Sequence, residues 1–290
     1  MPDAQSPSSK PSILLQLDTD PQPSVFDAVV ALDSGVDHLL RHGSARPETV
    51  RDLVYGLLFT RGGGDLRRSA VFVGGSDVEA GEAVLAAVLA ACFGAFRVSV
   101  ALDSNGANTT AAAAVRAIER SLGGPIDAAP TPVRATVLGA GPVGRRVARL
   151  LARRGAQVRV GTPDPDQVVE GVEMFPLEGD WRATMSGSDV LVAAGPAGVE
   201  ILPAIGRDRF PDLRVAVDLN AVPPHGIGET KPTDADKDRG GVRVWGALAV
   251  GGLKMKVHKA LIRALFDAEP TVFDLEQVFE VARRLDDPAP

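Results

Sequence analysis

The stretch LDSNGANTTAAAA, which starts at Leu102, concentrates hydrogen-bonding groups at one corner of the chain. The apolar run FRVSVALD leads into it, and an alanine-rich segment typical of a helix follows. A turn at Asn105-Gly106 and an N-cap at Asn108 are the structural explanation, but a cap needs only one side chain. Because six polar side chains are available, we favour a ligand site formed from Asp103, Ser104, Asn105, Asn108, Thr109 and Thr110.

A second motif with chemistry is the glycine turn Gly139-Ala-Gly141-Pro-Val-Gly144. An apolar strand precedes it, a helical pattern follows over residues 143–153, and another strand pattern begins near Gln157. In this context the glycines permit a tight turn, close approach of a pyrophosphate, and close helix–strand packing, with the helix N-terminus facing the phosphates. We therefore predict a dinucleotide site that includes Gly139, Gly141, Pro142, Val143, Gly144, Thr162, Ala194, Gly195 and Asn220.

The end of the second strand of such a unit distinguishes NAD from NADP. An acidic residue there binds the ribose 2′-hydroxyl, whereas a nearby arginine accommodates a 2′-phosphate. This chain has Thr162 at that position with Asp164 beyond it, and Arg145 or Arg146 is a candidate for contacting a phosphate. The sequence does not decide between the two cofactors.

Alternating strand and helix patterns must position these groups. In the first half, strands are predicted at residues 12–18, 69–75 and 96–103, and helices at 24–32, 47–58, 77–92 and 109–122. A second set of strands follows in VRATVLG, AQVRVG, SDVLVAAG and LRVAVDLN, and the chain ends in helices near 253–266 and 275–285. Such alternation predicts an α/β fold with two parallel-sheet domains, the C-terminal one Rossmann-like, and a cleft between them.

The domain boundaries follow from changes in composition. We expect a disordered tail at 1–11, an N-terminal α/β domain at 12–124, a Rossmann domain at 125–250, and C-terminal helices bordering the cleft at 251–290. The Gly- and Pro-rich stretch 123–132 is the predicted linker. In open α/β sheets ligands bind outside the carboxyl ends of the strands, so Asp18, Gly74-Gly75 and the Asp103 corner should face the cleft.

Composition excludes several classes of protein. The chain has 290 residues, 45% of them hydrophobic and only 4% aromatic, with a net charge of −6 that argues against nucleic-acid binding. Its single cysteine, Cys92, fits a reducing cytoplasm. The longest uncharged apolar run, residues 83–96, is shorter than the roughly 20 residues of a membrane helix, and the N-terminus lacks a signal-peptide pattern. We expect a soluble, cytoplasmic protein.

At this point the chain resembles the bacterial NAD(P)-dependent methylene-tetrahydromethanopterin dehydrogenases of one-carbon metabolism. The matching stretches keep the family's order from about Leu15 to the last helix. They are LDTDPQPSVFDAVVALDSG, FTRGG, VFVGGSD, FGAFRVSVALDSNGANTTAAAA, GAGPVG, DLNAVPPHGIG and GALAVGGLKMKVHKALI. LDSNGxNTTAAA and GGLKxKxH are long and specific, unlike the glycine motif.

The resemblance implies a hydride transfer from the methylene bridge of a reduced pterin to nicotinamide C4, which gives methenyl-pterin. No O–H or N–H proton leaves, so no general base is needed and positioning and electrostatics suffice. The resemblance also implies NADP or NAD as cofactor, no metal, and a homo-oligomer, commonly a trimer. The candidates around the pterin are Asp18, Asp20, Asp27, Thr60, Arg61, Asp103, Asn105, Asn108 and Thr110.

Lys254 is the candidate catalytic residue. It follows Gly251-Gly252, where a backbone can lie close to a ligand, and the family match favours it as the lysine that hydrogen-bonds the substrate. Lys256 is about 200° away around a helix and cannot face the same way. The alternative is that both lysines are simply solvated.

The residues also bear on five other interpretations. Methylene-tetrahydrofolate as substrate is the nearest alternative, because the two carriers share the reactive ring. A non-catalytic dinucleotide sensor would not need the Asp103 corner, and a shikimate-type dehydrogenase would need a Lys/Asp acid–base pair that does not stand out. The Tyr-x-x-x-Lys pair of bifunctional folate enzymes is absent, since Phe59 stands four residues after Tyr55. His38 and His42 could share a helical face but make a poor zinc site alone.

Overall fold

The computed structural model describes residues 10–166, 169–177, 184–267 and 269–285. The chain forms two compact units. The first comprises Met1–Thr109 and Lys256–Pro290, and the second comprises Thr110–Met255. None of the helices in the described ranges is long and apolar enough to cross a membrane.

The first unit is a five-stranded parallel sheet with helices in its connections. Its elements up to the Asp103 corner are β1 (Ile13–Asp18), α1 (Val25–Asp33), β2 (His38–His42), α2 (Pro47–Thr60), β3 (Ser69–Gly74), α3 (Val78–Ala91) and β4 (Ser99–Leu102). The strand order, with β12 (Val272–Phe273) at one edge, is β12-β4-β3-β1-β2. Strands β3 and β4 are buried along their whole length, as expected for central strands of a parallel sheet.

Two helices join the units. Helix α4 (Ala107–Leu122) contains the boundary after Thr109, and α6 (Ala247–Ala264) contains the boundary after Met255. The four alanines of α4 at 111–114 are completely buried, which explains why this helix is built from small apolar side chains. The chain ends in α7 (Leu275–Arg284).

The elements of the second unit are β5 (Arg134–Leu138), α5 (Pro142–Arg153), β6 (Gln157–Thr162), β7 (Val172–Pro176), β8 (Val190–Ala193), β9 (Val215–Asp218), β10 (Lys237–Arg239) and β11 (Val242–Trp245). Its strands form a seven-stranded sheet in the order β10-β11-β9-β8-β5-β6-β7. Among the strands that the structure describes here, only β10 runs antiparallel to its neighbour. The parallel strands follow the 3-2-1-4-5-6 order of a Rossmann domain, whose strand order reverses between β5 and β8, and the predicted fold class is confirmed.

The structure differs from the sequence prediction at both ends of the first sheet. Residues 38–42 form the edge strand β2, so the helical face suggested for His38 and His42 is wrong. In a strand these two histidines are four residues, or about 13 Å, apart. At the other edge β12 pairs with β4, so the segment from Lys256 onwards belongs to the first unit.

Helix α6 begins at Ala247, earlier than the predicted residue 253. The helix continues through Gly251 and Gly252, before its predicted start, because Val250, Leu253 and Val257 are buried along one side. Tertiary packing therefore overrides the poor helix propensity of glycine.

The predicted disordered tail, residues 1–11, lies outside the described residues up to residue 9. The two residues that are described are held in place. Arg68 donates a hydrogen bond to the Lys10 carbonyl, and Arg61 donates one to the Pro11 carbonyl.

Candidate functional site

The glycine turn of the second unit lies at the carboxyl end of β5, where the strand order reverses. Gly139 has a φ of +114°, and a Cβ there would lie 2.5 Å from the Ala194 carbonyl oxygen. A Cβ on Gly144 would lie 2.0 Å from the Gly139 oxygen. Neither position has room for a side chain, because the turn packs against the end of β8 and the first turn of α5 packs against the turn.

Gly141 is different from its two neighbours in the motif. It is the exposed N-cap of α5, and a Cβ added there would meet nothing within 4 Å. The first helical residue is Pro142, which has no N–H to satisfy. The turn is thus closed on the protein side and open on the other, which is the arrangement that a pyrophosphate at a helix N-terminus requires. The residues present fit a dinucleotide.

Arg145 and Arg146 carry positive charge next to this turn. Arg145 donates through Nε to the Ala140 carbonyl at 2.8 Å, and Arg146 donates to the Pro142 carbonyl at 3.2 Å. Their guanidinium groups are therefore at the N-terminal end of α5, where an anion would bind.

The other predicted cofactor residues lie at neighbouring strand ends of the same unit. Thr162 is the last residue of β6 and is buried, with its hydroxyl accepting a 3.4 Å hydrogen bond from the Asp164 amide. Ala194 follows β8 and its amide donates to the Leu138 carbonyl, while a Cβ on Gly195 would collide with Ile201. These positions form one edge, but contact with a cofactor stays a prediction for each of them.

Asn220 braces loops at this edge. Its Oδ1 accepts hydrogen bonds from the amides of Gly198 and Val222, and its Nδ2 donates to the carbonyls of Pro196 and Pro224. Since every polar atom of the side chain is used within the protein, Asn220 shapes the edge rather than offering a free group to the cofactor.

Sequence reasoning missed Asp218, the last residue of β9. It is buried, and its carboxylate accepts hydrogen bonds from the amides of Asn220 and Ile227 and from the Thr230 hydroxyl. The available signal was an acidic residue inside the apolar run VAVDLN. Buried carboxylates need several donors, so this residue fixes the whole loop that follows β9.

In the first unit, Asp18 and Asp20 lie at the carboxyl end of β1. The completely buried Asp18 carboxylate accepts hydrogen bonds from the amides of Asp20 and Ser24, at 2.9 Å and 2.8 Å. Asp20 accepts from the amide and the hydroxyl of Ser76, which follows the end of β3. Both carboxylates therefore hold adjacent loops together at the predicted pterin-binding edge.

Most of the polar corner after β4 is used within the protein. The Asp103 carboxylate accepts hydrogen bonds from the Thr109 amide and hydroxyl, at 2.9 Å and 2.6 Å. Asn108 donates to the Leu102 carbonyl, and Ser104 donates to the Gly74 carbonyl. Capping and loop bracing therefore account for Asp103, Ser104, Asn108 and Thr109. Fewer side chains of this corner can contact a ligand than the sequence predicted.

Asn105 is the exception at this corner. Its backbone is left-handed, with φ 55° and ψ 18°, and its amide donates to the Gly75 carbonyl. Its side chain is exposed and, within the described ranges, makes no hydrogen bond. A residue other than glycine in this conformation costs free energy, and such strain clusters at ligand sites. Thr110 is half-buried one turn further along α4.

Thr60 and Arg61 are not at this edge, contrary to the prediction that they surround the pterin with Asp18 and Asp103. They end α2, which leads to the amino end of β3, and Arg61 donates to the carbonyls of Pro11 and Arg68. Since a six-residue strand is about 20 Å long, this places them at the opposite edge of the sheet. Thr60 donates to its own helix, at the Gly56 carbonyl.

Asp27 lies in the first turn of α1, where the helix N-terminus favours a negative charge. One of its oxygens and one oxygen of Asp18 lie 3.4 Å and 3.6 Å from the place where a Cβ on Gly74 would be. The two carboxylates thus border the same point at the end of β3. Gly74 has no side chain, which leaves room for both carboxylates beside it.

Lys254 and Lys256 differ in burial as predicted from the helix geometry. Lys254 is half-buried and Lys256 is exposed on α6. A Cβ on Gly251 or Gly252 would meet nothing within 4 Å, so these glycines leave an open strip on the helix surface before Lys254. They do so inside α6, which begins before the predicted residue 253.

Two further features lie away from these edges. In the β10–β11 hairpin, the hydrogen bond from Arg243 lowers the pKa of Asp236. For Asp234, burial acts to raise the pKa, but the hydrogen bond from Arg239 and other contacts outweigh it and the pKa is lowered.

A cavity of about 650 Å³ opens at the amino-terminal edge of the second sheet, beside Arg134, Gln157 and Arg159, opposite the glycine turn.

No group of three or more His, Cys, Asp or Glu side chains that could hold a metal ion occurs among residues 10–166, 169–177, 184–267 and 269–285. A metal-independent reaction stays a prediction.

The strand order and the glycine turn define a class: an α/β protein with two parallel-sheet units, one of them a Rossmann dinucleotide-binding domain. A family profile described as methylene-tetrahydromethanopterin dehydrogenase, N-terminal, matches residues 25–105. The chain is 40% identical to Bifunctional protein MdtA of Methylorubrum extorquens, over 94% of this chain and 98% of that protein. The chain belongs to the methylene-tetrahydromethanopterin dehydrogenase family.

The chain is also similar to a second protein of the same organism and to a solved structure. The NAD(P)-dependent methylenetetrahydromethanopterin dehydrogenase of the same organism is 31% identical, over 89% of this chain and 93% of that protein. Among solved structures, a quinate dehydrogenase from Corynebacterium glutamicum in complex with NAD matches with a TM-score of 0.49 and 15% identity, covering 94% of this chain and 99% of that chain. At that similarity the structural match carries no argument about function.

Proposed function

We propose that the protein is an NAD(P)-dependent methylene-tetrahydromethanopterin dehydrogenase that oxidises the methylene bridge of the reduced pterin to the methenyl form. The observation that carries this proposal is the turn at Gly141, open on one side and closed by Gly139 and Gly144 on the other, in a chain that aligns over 89% of its length with a relative named as a methylenetetrahydromethanopterin dehydrogenase. When bound, the nicotinamide cofactor supplies C4 as the hydride acceptor.

The chain's own residues bind the cofactor, orient it and neutralise its negative charge. The N-terminus of α5 holds the pyrophosphate, with Arg145 and Arg146 adding positive charge. Asn220 and Asp218 fix the loops that border the same edge. Since no O–H or N–H proton leaves the substrate, none of these residues needs to act as a general base.

The carboxylates of the first unit suit a reaction that creates positive charge. The methenyl product is a cation shared between two nitrogens, and Asp18 and Asp27 border one point at the end of β3. Carboxylates fixed in place before the reaction stabilise such a charge without reorganising. In this proposal Asn105 pairs with the polar edge of the pterin, and Lys254 hydrogen-bonds a substrate heteroatom.

The proposal is tested by turnover. The purified protein, given methylene-tetrahydromethanopterin and NADP or NAD, is expected to form reduced nicotinamide and methenyl-pterin in equal amounts, both followed by absorbance. Activity is expected to be unchanged after treatment with EDTA. Loss of activity that zinc restores would contradict the metal-free mechanism.

A second candidate substrate is methylene-tetrahydrofolate. What favours it is that the two carriers share the reactive ring from which the hydride leaves. Comparing kcat/KM for the two pterins in the same assay decides the question. Cofactor binding without turnover of either pterin would instead favour the dinucleotide sensor.

Three finer points belong to this proposal. We propose NADP as the preferred cofactor, because the family resemblance favours it. We propose a cytoplasmic location, supported by the single Cys92. We also propose a homo-oligomer, as a trimer, which light scattering on the purified protein would measure.

The substitution Asn105→Gly tests whether the Asn105 side chain binds the pterin, and it is expected to leave the fold of the polar corner intact. Glycine adopts the left-handed backbone without strain, so the free energy of unfolding should be unchanged or slightly higher. If the side chain pairs with the pterin, its loss should raise KM for the pterin by roughly tenfold, the value of a good hydrogen bond. Thermal unfolding and steady-state kinetics measure the two effects, and an unchanged KM would remove Asn105 from the site.

A further inference from the structure

His258 on α6 lies in a completely buried position in the first unit. Its imidazole stacks on the buried ring of Phe72 in β3, with ring centroids 5.5 Å apart and planes 16° apart. Phe26 lies at 6.0 Å from it. A polar ring with two nitrogens at a site formed by aromatic rings is expensive unless the nitrogens have a use.

Asp27 places a carboxylate near this imidazole. The His258 Nε2 atom lies 3.9 Å from Asp27 Oδ1, and the Asp27 side chain is 16% exposed. The other oxygen of the same carboxylate points to Gly74 and the neighbouring Asp18. Asp27 therefore has one oxygen towards a buried imidazole and the other towards Gly74 and Asp18, at the carboxyl ends of β3 and β1.

We propose that His258 is a positioning residue for the pterin substrate: it acts through Asp27, holding that carboxylate in the orientation in which its other oxygen faces the substrate. The inference rests on the proposed function. In it, His258 holds Asp27 in place and takes no part in the hydride transfer.

Three observations support this assignment. Phe72 fixes the plane of the imidazole, so Nε2 has a defined direction. Asp27 lies near Asp18, and two like charges at one point repel, so a carboxylate without a partner there would turn away. A separation of 3.9 Å is long for a hydrogen bond, but such contacts are often long before substrate binds and shorten in the complex.

The position of His258 on its helix adds a fourth argument. His258 is four residues after Lys254, so the two side chains lie on the same face of α6, one turn apart. The face of α6 that carries the candidate catalytic lysine is thus the face that contacts Asp27. The exposed pair Lys259–Asp33, at 3.0 Å, is a second link between α6 and α1 and keeps the two helices in register.

The test uses two substitutions in the full-length enzyme. His258→Phe keeps a flat ring on Phe72 but removes both nitrogens, whereas His258→Gln keeps an N–H near the place of Nε2. We expect His258→Phe to raise KM for methylene-tetrahydromethanopterin by roughly tenfold or more with the Kd of NADP unchanged. His258→Gln is expected to restore KM to within about threefold of the wild-type value.

A double-mutant cycle with Asp27→Asn shows whether His258 acts through Asp27. If it does, the double variant Asp27→Asn/His258→Phe has the same KM as Asp27→Asn alone. Additive losses would overturn the inference, as would an unchanged KM in His258→Phe or equal losses in His258→Phe and His258→Gln. If His258→Phe does not fold, His258→Leu, which also lacks an N–H, replaces it in the same cycle with Asp27→Asn.

The wild-type enzyme distinguishes this inference from the function on which it rests. Wild-type protein that turns over no methylene-pterin would overturn the proposed function and the role of His258 with it. Wild-type turnover combined with an unchanged KM in His258→Phe would overturn the role of His258 alone.

Discussion

Gly141→Val is expected to abolish dinucleotide binding while the protein stays folded. The backbone of Gly141 has φ −67° and ψ 179°, which valine adopts readily, and a Cβ there would meet no atom of the chain within 4 Å. The valine side chain would instead occupy the space in front of the N-terminus of α5, where a pyrophosphate must lie. Calorimetric titration with NADP and with NAD should show a loss of at least about 100-fold in affinity, equal to two or more hydrogen bonds to a charged group.

Gly144→Ala is the matched control for this substitution. The alanine Cβ would lie 2.0 Å from the Gly139 carbonyl oxygen, so the turn and helix must separate. Overpacking of this kind costs about 1–3 kcal/mol or more, and thermal unfolding should show a clear drop in Tm. Gly141→Val should show no such drop. Tight cofactor binding by Gly141→Val would mean that the glycine motif serves only as a turn.

Lys254→Ala is expected to lower kcat on the order of 100-fold with little change in stability. If Lys254 orients the pterin, its loss allows the methylene carbon to move from its position for hydride transfer, and a misplacement of about 1 Å costs that much in rate. Lys256→Ala is the control, since Lys256 is exposed on the same helix and points elsewhere. Stopped-flow or steady-state rates of both variants, together with Tm, measure the effect.

The pH dependence of Lys254→Ala gives a further check on the mechanism. No proton transfer is assigned to Lys254, so raising the pH should not recover the lost activity. Recovery at high pH would instead argue for acid–base chemistry. Near-native rates for both alanine variants would remove Lys254 from the site.

Strands and helices with strong apolar patterns were predictable from the sequence. β1, β3 and the strands around the glycine turn lie where alternation and flanking glycines indicated. β2 was not predicted, because HLLRH is a mostly exposed edge strand with little apolar pattern. β12 was missed for a related reason: two residues carry no periodicity, and their pairing with β4 depends on a contact some 170 residues away in the chain.

The sequence predicted where the candidate sites lie better than it predicted which side chains in them face a ligand. Strand ends and the glycine turn indicate an edge of a sheet, and both candidate sites lie at such edges. Whether a polar side chain faces a ligand or a neighbouring amide depends on partners that the sequence does not specify, as Asp103 and Asn220 show. The error over Thr60 and Arg61 has the same origin, since a helix after β2 ends at the opposite edge of the sheet from the strand ends.

The first unit is formed from two separate segments of the chain, and this affects its synthesis on the ribosome. Its sheet is completed by β12, which is made after the entire Rossmann unit. The Rossmann unit is continuous in the chain and can collapse as soon as it emerges, whereas the first unit must close a loop of more than a hundred residues around an already folded insert. A nascent chain halted before residue 256 therefore presents an unpaired sheet edge at β4, which stays open to other strands until β12 has been made.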